Sequence, residues 1–430
     1  MIGLAWLMST DRKAITWRPV LWGVGLQLAF GAIVLAPWLQ DFFFVGVDAG
    51  VKRLLSFAEA GADFVFQTTE PHQIEVGFGG GQPETFIGRI SPPVKTFAFW
   101  ILPTIVFFSS LMSILYHLGI MQVLVKAIAW VMQRTMGTSG SESLAAASNI
   151  FVGQTEAPLV VKPYVHTMTR SELHALMTGG FATVAGGVMA AYVGFLKDIP
   201  GIAGHLVTAS ILSAPAALAI SKVMVPETQV SDTAGKVTLS VPSEAENVME
   251  AAARGATEGM KLAINVAAML IAFVGLVAMI DWVLTLAPIT FCASEINLGY
   301  SDTCEPLSLA RILGWVFSPI AFAMGVPWDE AAVVGRLLGE KLVLTEFIAY
   351  VSLGGLVNAE VPVLSERSAI IASYALCGFA NFASVGIQLG GIGGIAPERM
   401  GDLSALALRA MIAGSLAAFM TATVAGVLLG

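Results

Sequence analysis

Charge is what this sequence has least of. Lys, Arg, Asp and Glu together are 12% of 430 residues, against about a quarter in soluble domains. No basic tract runs long enough to follow a nucleic-acid backbone. Cysteine is scarce as well, three in the chain. With no CxxC pair and no Cys/His cluster, a disulfide scaffold and a recognisable thiolate metal centre are excluded. HExxH, GxSxG and any paired catalytic carboxylate motif are absent, and His72, His117, His166, His174 and His205 lie scattered toward segment ends. A membrane-embedded enzyme thus has no catalytic constellation to rest on. A cleavable signal is also missing: Met1–Met8 is apolar but short, and Asp11-Arg12-Lys13 follows it.

What the chain has is apolar sequence. Hydrophobic residues make up 56% and the mean hydropathy is +0.79, which marks an all-α polytopic membrane protein. The first full span is expected at Val20–Trp38. Phe42–Phe66, interrupted by Asp48, Lys52, Arg53, Glu59 and Asp63, suits an interfacial amphipathic helix. Gln67–Pro93 is rich in Gly, Pro and Thr and reads as an aqueous loop. A long span, Thr96–Leu118, and an amphipathic piece, Met121–Met136, come next. Ser171–Val193, Leu206–Met224 and Thr257–Leu286 are further spans, and Pro226–Ser243 is a polar linker. An outside loop then carries Cys292 and Cys304, flanked by Gly299 and Pro306; whether they are bridged stays open without a Cα separation. Leu307–Gly325 is apolar and expected to break at Pro319. Ala369–Leu389 and Leu403–Leu429 are the last spans.

The chain is organised around Asn149-Ile-Phe-Val-Gly-Gln-Thr-Glu-Ala-Pro158. Helix-friendly apolar sequence flanks four consecutive positions, Gly153 to Glu156, that hold a glycine, an amide, a hydroxyl and a carboxyl. Each flank is about half of the ~20 residues that cross a bilayer. An ordinary cytosolic loop is the plain alternative. The economical reading is a re-entrant hairpin whose polar tip lies near the membrane midplane, buried in protein or facing a wet cavity.

The pattern repeats. Met136-Gly-Thr-Ser-Gly-Ser-Glu142 resembles Met324-Gly-Val-Pro-Trp-Asp-Glu330, Thr155-Glu156 matches Thr345-Glu346, and Gly180-Phe-Ala-Thr-Val-Ala185 matches Gly378-Phe-Ala-Asn-Phe-Ala383. The matches keep their order at a spacing of about 190 residues. A second hairpin is therefore expected, with arms Trp328–Leu344 and Phe347–Leu356 and a tip at Thr345-Glu346. Phe181-Ala-Thr183 and Phe379-Ala-Asn381 are expected to interrupt their spans at matching places. Paired interrupted helices point to a transporter's binding site. The Arg12–Arg18, Lys126–Arg170 and Lys222–Lys261 groups, with Arg399 and Arg409, hold more than half of the 22 basic residues. That bias puts this side in the cytoplasm, and the two hairpins then enter from opposite sides.

Asn149 through Pro158, Gly378-Phe-Ala-Asn381-Phe-Ala-Ser384 and Gly325-Val-Pro-Trp328 resemble the concentrative nucleoside transporter family, over most of the chain from about Arg12 onward. The resemblance implies a homotrimer in the lipid bilayer, an inverted repeat with two opposed hairpins and two interrupted helices, and a scaffold with an elevator-type transport domain. It implies a bacterial inner-membrane symporter that imports nucleosides such as uridine on a sodium gradient. On this plan residues 1–41 are N-terminal helices and 42–95 an interfacial helix and periplasmic loop. Residues 96–136 are a scaffold helix and interfacial helix, and 137–225 the first transport repeat. Residues 226–256 form a cytoplasmic linker, 257–326 a scaffold helix, periplasmic loop and interfacial segment, and 327–430 the second transport repeat.

Carried over to this chain, the resemblance assigns Gln154, Thr155 and Glu156 to the nucleobase, with Val188 beside them. Glu346, Asn381 and Ser384 would hold ribose hydroxyls, and Leu262 and Phe379 would pack on the substrate. A sodium ion would take side-chain oxygens of Asn149 and Thr183 and carbonyls of Asn149, Val152, Thr183 and Val184. The chemistry is compatible: carboxylates accept hydroxyl protons, amides donate and accept, and a ring covers a flat base. Simpler roles exist for each. Asn381 could cap a helix, Phe379 could be core packing, and Thr183 could bond back within its helix. The family's first helix is largely missing, and the 67–93 loop is long. A carrier of another neutral polar solute and a proton-coupled symporter are the nearest rivals. Two acidic tips, Glu156 and Glu346, argue against an anionic substrate.

Overall fold

Breaks in helices, more than their lengths, set this architecture. The structure, a computed structural model, describes residues 1–34, 37–66, 72–76, 84–88, 97–234, 245–286, 290–291, 305–359 and 363–429. After a short α1 (Ile2–Leu7), α2 (Trp17–Val34) is the first helix apolar and long enough to cross a membrane. It stops short of the expected Trp38. Pro37 opens α3 (Pro37–Phe66) instead, as a ring without an N–H can at a first helical position. The stretch read as interfacial is the larger part of α3. This 30-residue helix is not among those that pass as spans, and its Lys52 and Asp48 pair at 2.7 Å.

The expected aqueous loop holds a small antiparallel ribbon, β1 (His72–Val76) against β2 (Glu84–Gly88), with His72 opposite Gly88. β-branched and aromatic residues such as Ile74, Val76, Phe86 and Ile87 favour strands there. A second, shorter ribbon pairs β3 (Thr290–Phe291) with β4 (Glu305–Pro306). Cys292 and Cys304 lie outside the described residues.

α4 (Leu102–His117) turns sharply into α5 (Ile120–Met136), bent by 78° at Gly119. The left-handed φ of +80° there is one that glycine adopts without strain. α12 (Val248–Thr285) is longer than expected and lies close along α4. A methyl group on Gly259 would stand 2.8 Å from the Cα of Val106, so the two backbones meet without side chains between them.

The first repeat is α6 (Gly140–Asn149), a turn over 150–156, α7 (Ala157–Val160) and α8 (Lys162–Val165), then α9 (Arg170–Ala182), a break over 183–185, α10 (Gly186–Phe195) and α11 (Ile202–Met224). Capping boxes, Ser139 with Glu142 and Thr169 with Glu172, begin α6 and α9. The hairpin's second arm is not the single helix its length suggested. Pro158 and Pro163 each start a four-residue turn, because a proline fits only the first turn and cannot continue one.

The second repeat runs α13 (Leu309–Ala323), α14 (Trp328–Val343), α15 (Glu346–Val357), α16 (Glu366–Leu376), a break over 377–381, α17 (Phe382–Ile395) and α18 (Met400–Leu428). Pro319 does not break α13, contrary to expectation. The Ser318 hydroxyl donates to the Gly314 carbonyl at 2.5 Å within the same turn. The sharp reversal comes later, a 118° bend into α14 with Gly325 at φ +102°.

α9, α11, α16 and α18 pack together and form the core, with few side chains reaching solvent. There the two breaks touch. Gly378, at φ +134°, lies so close to the first break that a methyl on it would sit 2.8 Å from the Phe181 carbonyl oxygen. The breaks are not in the register the matching Gly-Phe-Ala motifs implied. Phe181 and Ala182 are still helical, whereas Phe379 and Ala380 are already in the second break. Gly378 takes a left-handed φ and ends its helix early; Gly180 keeps helical geometry.

Candidate functional site

The elements that leave the helical ladder converge, and their polar side chains form one chain of hydrogen bonds. It starts on α17, where Gln388 Nε2 donates to the Met177 carbonyl and to Gln154 Oε1, both at 3.1 Å. Gln154, in the first hairpin's turn, donates through Nε2 to the Ser384 hydroxyl at 3.1 Å. The Ser384 backbone N–H donates to Asn381 Oδ1 at 2.8 Å, and Asn381 Nδ2 donates to Glu346 Oε2 at 2.7 Å. Glu346 Oε1 accepts the Tyr192 hydroxyl at 2.9 Å. Both hairpins, the second break and α10 are thus linked through side chains that are all buried.

Local structure explains the positions. Thr345 caps α15, accepting from the Ile348 N–H at 3.4 Å, and this fixes Glu346 in the first turn. Asn381 caps α17 with its oxygen while its nitrogen reaches Glu346, so one side chain both ends the break and joins the hydrogen-bond chain. Gly180 leaves room for Gln154 and Gln388: a methyl there would lie 2.7 Å from Gln388 Nε2 and 2.9 Å from Gln154 Cβ. Tyr192 stacks on Tyr350 at 4.1 Å between ring centroids, which holds its hydroxyl toward Glu346.

The other expected residues are placed less uniformly. Val188 is buried in the surrounding apolar cluster, and Leu262 and Phe379 are half-buried against it. Thr155 turns toward α17, where a methyl on Gly391 would meet its Cγ2 at 3.4 Å. Glu156 stays outside the hydrogen-bond chain. It is exposed, folds back over Gly153, and lies within electrostatic reach of Tyr116 on α4 and Glu258 on α12. Tyr192, Gln388 and Glu258 were not expected. An amide alone in the apolar stretch around Gln388 was the one signal the sequence offered.

The expected ion ligands meet at the first break. Asn149 is 1% exposed, and neither its Oδ1 nor its Nδ2 has a hydrogen-bond partner among the described residues. Its amide rests on Gly179, where a methyl would come within 3.0 Å of Nδ2. The Thr183 hydroxyl donates to the Gly179 carbonyl at 2.9 Å, which leaves its oxygen lone pairs free. The hairpin turn is fastened to the break by the Gly186 N–H, which donates to the Phe151 carbonyl at 3.1 Å. Val184 contributes backbone that has left the helical ladder, and Val152, whose N–H still donates to the Ser148 carbonyl at 3.0 Å, ends the first arm; carbonyls at such helix ends are of the kind that bind sodium. An orphaned buried amide beside neutral oxygens fits a hard monovalent cation.

A cavity of about 720 Å³ lies elsewhere, between α3, α11 and α16, lined among others by Phe44, Asp48, Lys52, His205 and Arg367. None of the hydrogen-bonded residues borders it.

Comparison with known proteins agrees across the whole chain. Residues 205–426 match the family model described as the Na+ dependent nucleoside transporter C-terminus, residues 1–69 its N-terminus, and residues 98–198 a nucleoside recognition model. An uncharacterized transporter of Haemophilus influenzae is 42% identical over 100% of this chain and 96% of its own length. Sodium/nucleoside cotransporter 1 of Sus scrofa is 40% identical over 98% of this chain. The chain spans about three fifths of the length of the mammalian relatives it matches: 61% of the pig protein, and 57% of solute carrier family 28 member 3 of Mus musculus, to which it is 40% identical over 99% of its residues. The solved structure of CNTnw in an inward-facing substrate-bound state superposes with a TM-score of 0.84 at 40% identity, covering 100% of this chain and 95% of that one. A variant of CNTnw in an outward-facing state gives 0.83 with the same coverage. This family consists of transporters, not enzymes, and the chain belongs to it: it is a concentrative nucleoside transporter family member.

Proposed function

We propose that this protein is a secondary active symporter that imports nucleosides, driven by an inward sodium gradient. The observation that carries the reading is the single chain of hydrogen bonds from Gln388 to Tyr192, which joins both hairpins and the second break. Amides at Gln154 and Asn381 and the carboxylate of Glu346 offer complementary partners to base N–H and C=O groups and to ribose hydroxyls. The buried, unpartnered Asn149 amide supports a sodium site at the first break. We assign the base to Gln154, Thr155, Glu156 and Val188, the ribose to Glu346, Asn381 and Ser384, and the apolar contact to Leu262 and Phe379. The hairpins and interrupted helices (137–225 and 327–430) move together as an elevator against a scaffold that includes α4 and α12, within a homotrimer. The similarity to a Haemophilus protein along its full length supports a bacterial inner membrane as the location.

The test is accumulation of radiolabelled uridine in sealed vesicles, with and without a sodium gradient. Uptake is expected to rise with inward sodium. In Asn149→Leu the ligand is replaced by a bulky apolar group, and sodium dependence is expected to disappear. Wild-type uptake that ignores sodium and collapses with a protonophore overturns the choice of ion; absence of nucleoside uptake under any gradient overturns the substrate.

A further inference from the structure

The second hairpin buries two opposite charges that do not touch. Lys341 lies in the last turn of α14 and Glu346 opens α15, with Leu344 and Thr345 between the two helices. Their side chains are 1% and 4% exposed, and among the described residues neither takes part in an ion pair. The surroundings of Glu346 suit a carboxylate. Asn381 Oδ1 is committed to the Ser384 N–H, so the part of its amide that meets Glu346 Oε2 is the N–H₂, a donor. Glu346 Oε1 accepts the Tyr192 hydroxyl at 2.9 Å. An ionised Glu346 satisfies both donors as they stand.

A buried carboxylate is unfavourable unless something compensates its charge. The N-terminal end of α15, where Glu346 occupies the first turn, supplies part of this. The Lys341 ammonium lies within electrostatic reach and supplies a full positive charge. It is held off from the carboxylate: Nζ donates to the Ala375 carbonyl at 2.9 Å, in the last turn of α16, whose C-terminal end carries partial negative charge. From α15, the Tyr350 hydroxyl donates to the nearby Ser373 carbonyl at 2.7 Å and fixes the same helix end. Tyr192, Tyr350 and Cys377, the other titratable groups around the pair, bring no positive charge. Glu340, next to Lys341, is taken by Arg336 at 2.8 Å. We propose that the Lys341 ammonium is the counter-charge that keeps Glu346 ionised, a positioning residue that acts on the nucleoside through that carboxylate. The proposal rests on the ribose role given to Glu346 above. A direct ion pair would cover the carboxylate oxygens with N–H donors. A cation parked on a carbonyl compensates the charge and leaves those oxygens to Tyr192, Asn381 and the hydroxyls of the sugar.

Uridine uptake at a fixed inward sodium gradient, with equal pH on both sides and followed between about pH 6 and 9, tests this. The infrared band of protonated carboxyl groups in the purified protein is the second readout. Wild-type uptake is expected to vary little with pH. Lys341→Met, equally long but uncharged, is expected to lose at least about ten-fold near neutral pH and to recover toward alkaline pH, where Glu346 gives up its proton. It is also expected to show a protonated-carboxyl band that the Lys341→Met, Glu346→Gln double variant lacks. Lys341→Arg keeps the charge and is expected to keep the level pH profile. An equal fractional loss in Lys341→Met at every pH, without the band, shows that Lys341 only packs and overturns the counter-charge. Wild-type uptake by Glu346→Gln overturns the ribose role, and the infrared band then decides the counter-charge by itself. Should Lys341→Met insert but not transport, the same band decides: its presence supports the proposal and its absence overturns it. Lys341→Gln provides these readings should Lys341→Met fail to fold.

Discussion

The Glu346 carboxylate sits between two donors, the Tyr192 hydroxyl at 2.9 Å and the Asn381 amide at 2.7 Å. Replacing it by Gln removes the charge and turns one oxygen into an N–H₂ that faces a donor. Charge-assisted hydrogen bonds of this kind contribute on the order of 1.5–3 kcal/mol. Glu346→Gln is therefore expected to lower uridine uptake at least about ten-fold at unchanged surface expression, and wild-type uptake would refute the assignment to ribose. Tyr192→Phe leaves the carboxylate one donor short, so a smaller loss in the same assay is expected. How these residues were to be read differed. Glu346 stood out in the sequence because an acid among Leu344, Phe347 and Ile348 has few structural excuses. Asn381 offered two readings, cap or ligand, and its two amide atoms make both compatible. Tyr192 was hidden, since a tyrosine in an apolar helix looks like packing until the partner from a distant hairpin is known.

At the scale of elements, the interrupted helices depend on glycine for different reasons. Gly378 carries a φ of +134° and abuts the Phe181 carbonyl, so Gly378→Ala meets both backbone strain and a clash. Strained backbone of this kind costs about 1–3 kcal/mol before the clash is added. A lowered unfolding temperature and lost uptake are expected together; an unchanged unfolding temperature would contradict the close approach of the two breaks. Gly180→Ala acts through side chains instead, pushing on Gln388 and Gln154. It is expected to cut uptake with a smaller loss of stability. The hairpins themselves were readable, because Gly and Pro flank short apolar arms in both halves. The register of the breaks was not. Two similar Gly-Phe-Ala motifs carry no mark of which glycine will take a left-handed φ, and that is settled by what packs against each. Pro319 misled because a proline inside an apolar helix removes one N–H without always ending the helix, and α13 runs on through it.

At the scale of the whole molecule, the cytoplasmic end assigned by charge bias holds a buried ion pair between Lys222 on α11 and Glu142 on α6, 2.7 Å apart. Lys222 also donates to the Ser171 hydroxyl at 2.9 Å. Removing one member of a buried pair strands the other, at about 3–5 kcal/mol, whereas removing both costs far less. Lys222→Met is thus expected to unfold at a much lower temperature than the Lys222→Met, Glu142→Leu double variant; equal losses would show the pair to be uncoupled. Sequence gave both residues but not their meeting, which depends on how α6 lies across α11. The hydrogen-bond chain from Gln388 to Tyr192 carries one more consequence. Apart from Gln388 Oε1, its polar groups hold one another, so on the proposed reading an arriving nucleoside would mostly exchange partners and not fill vacant ones. Swapping equals releases little free energy, and cargo held so lightly leaves readily. On that reading, donors and acceptors that hold one another between passengers favour turnover over tight binding.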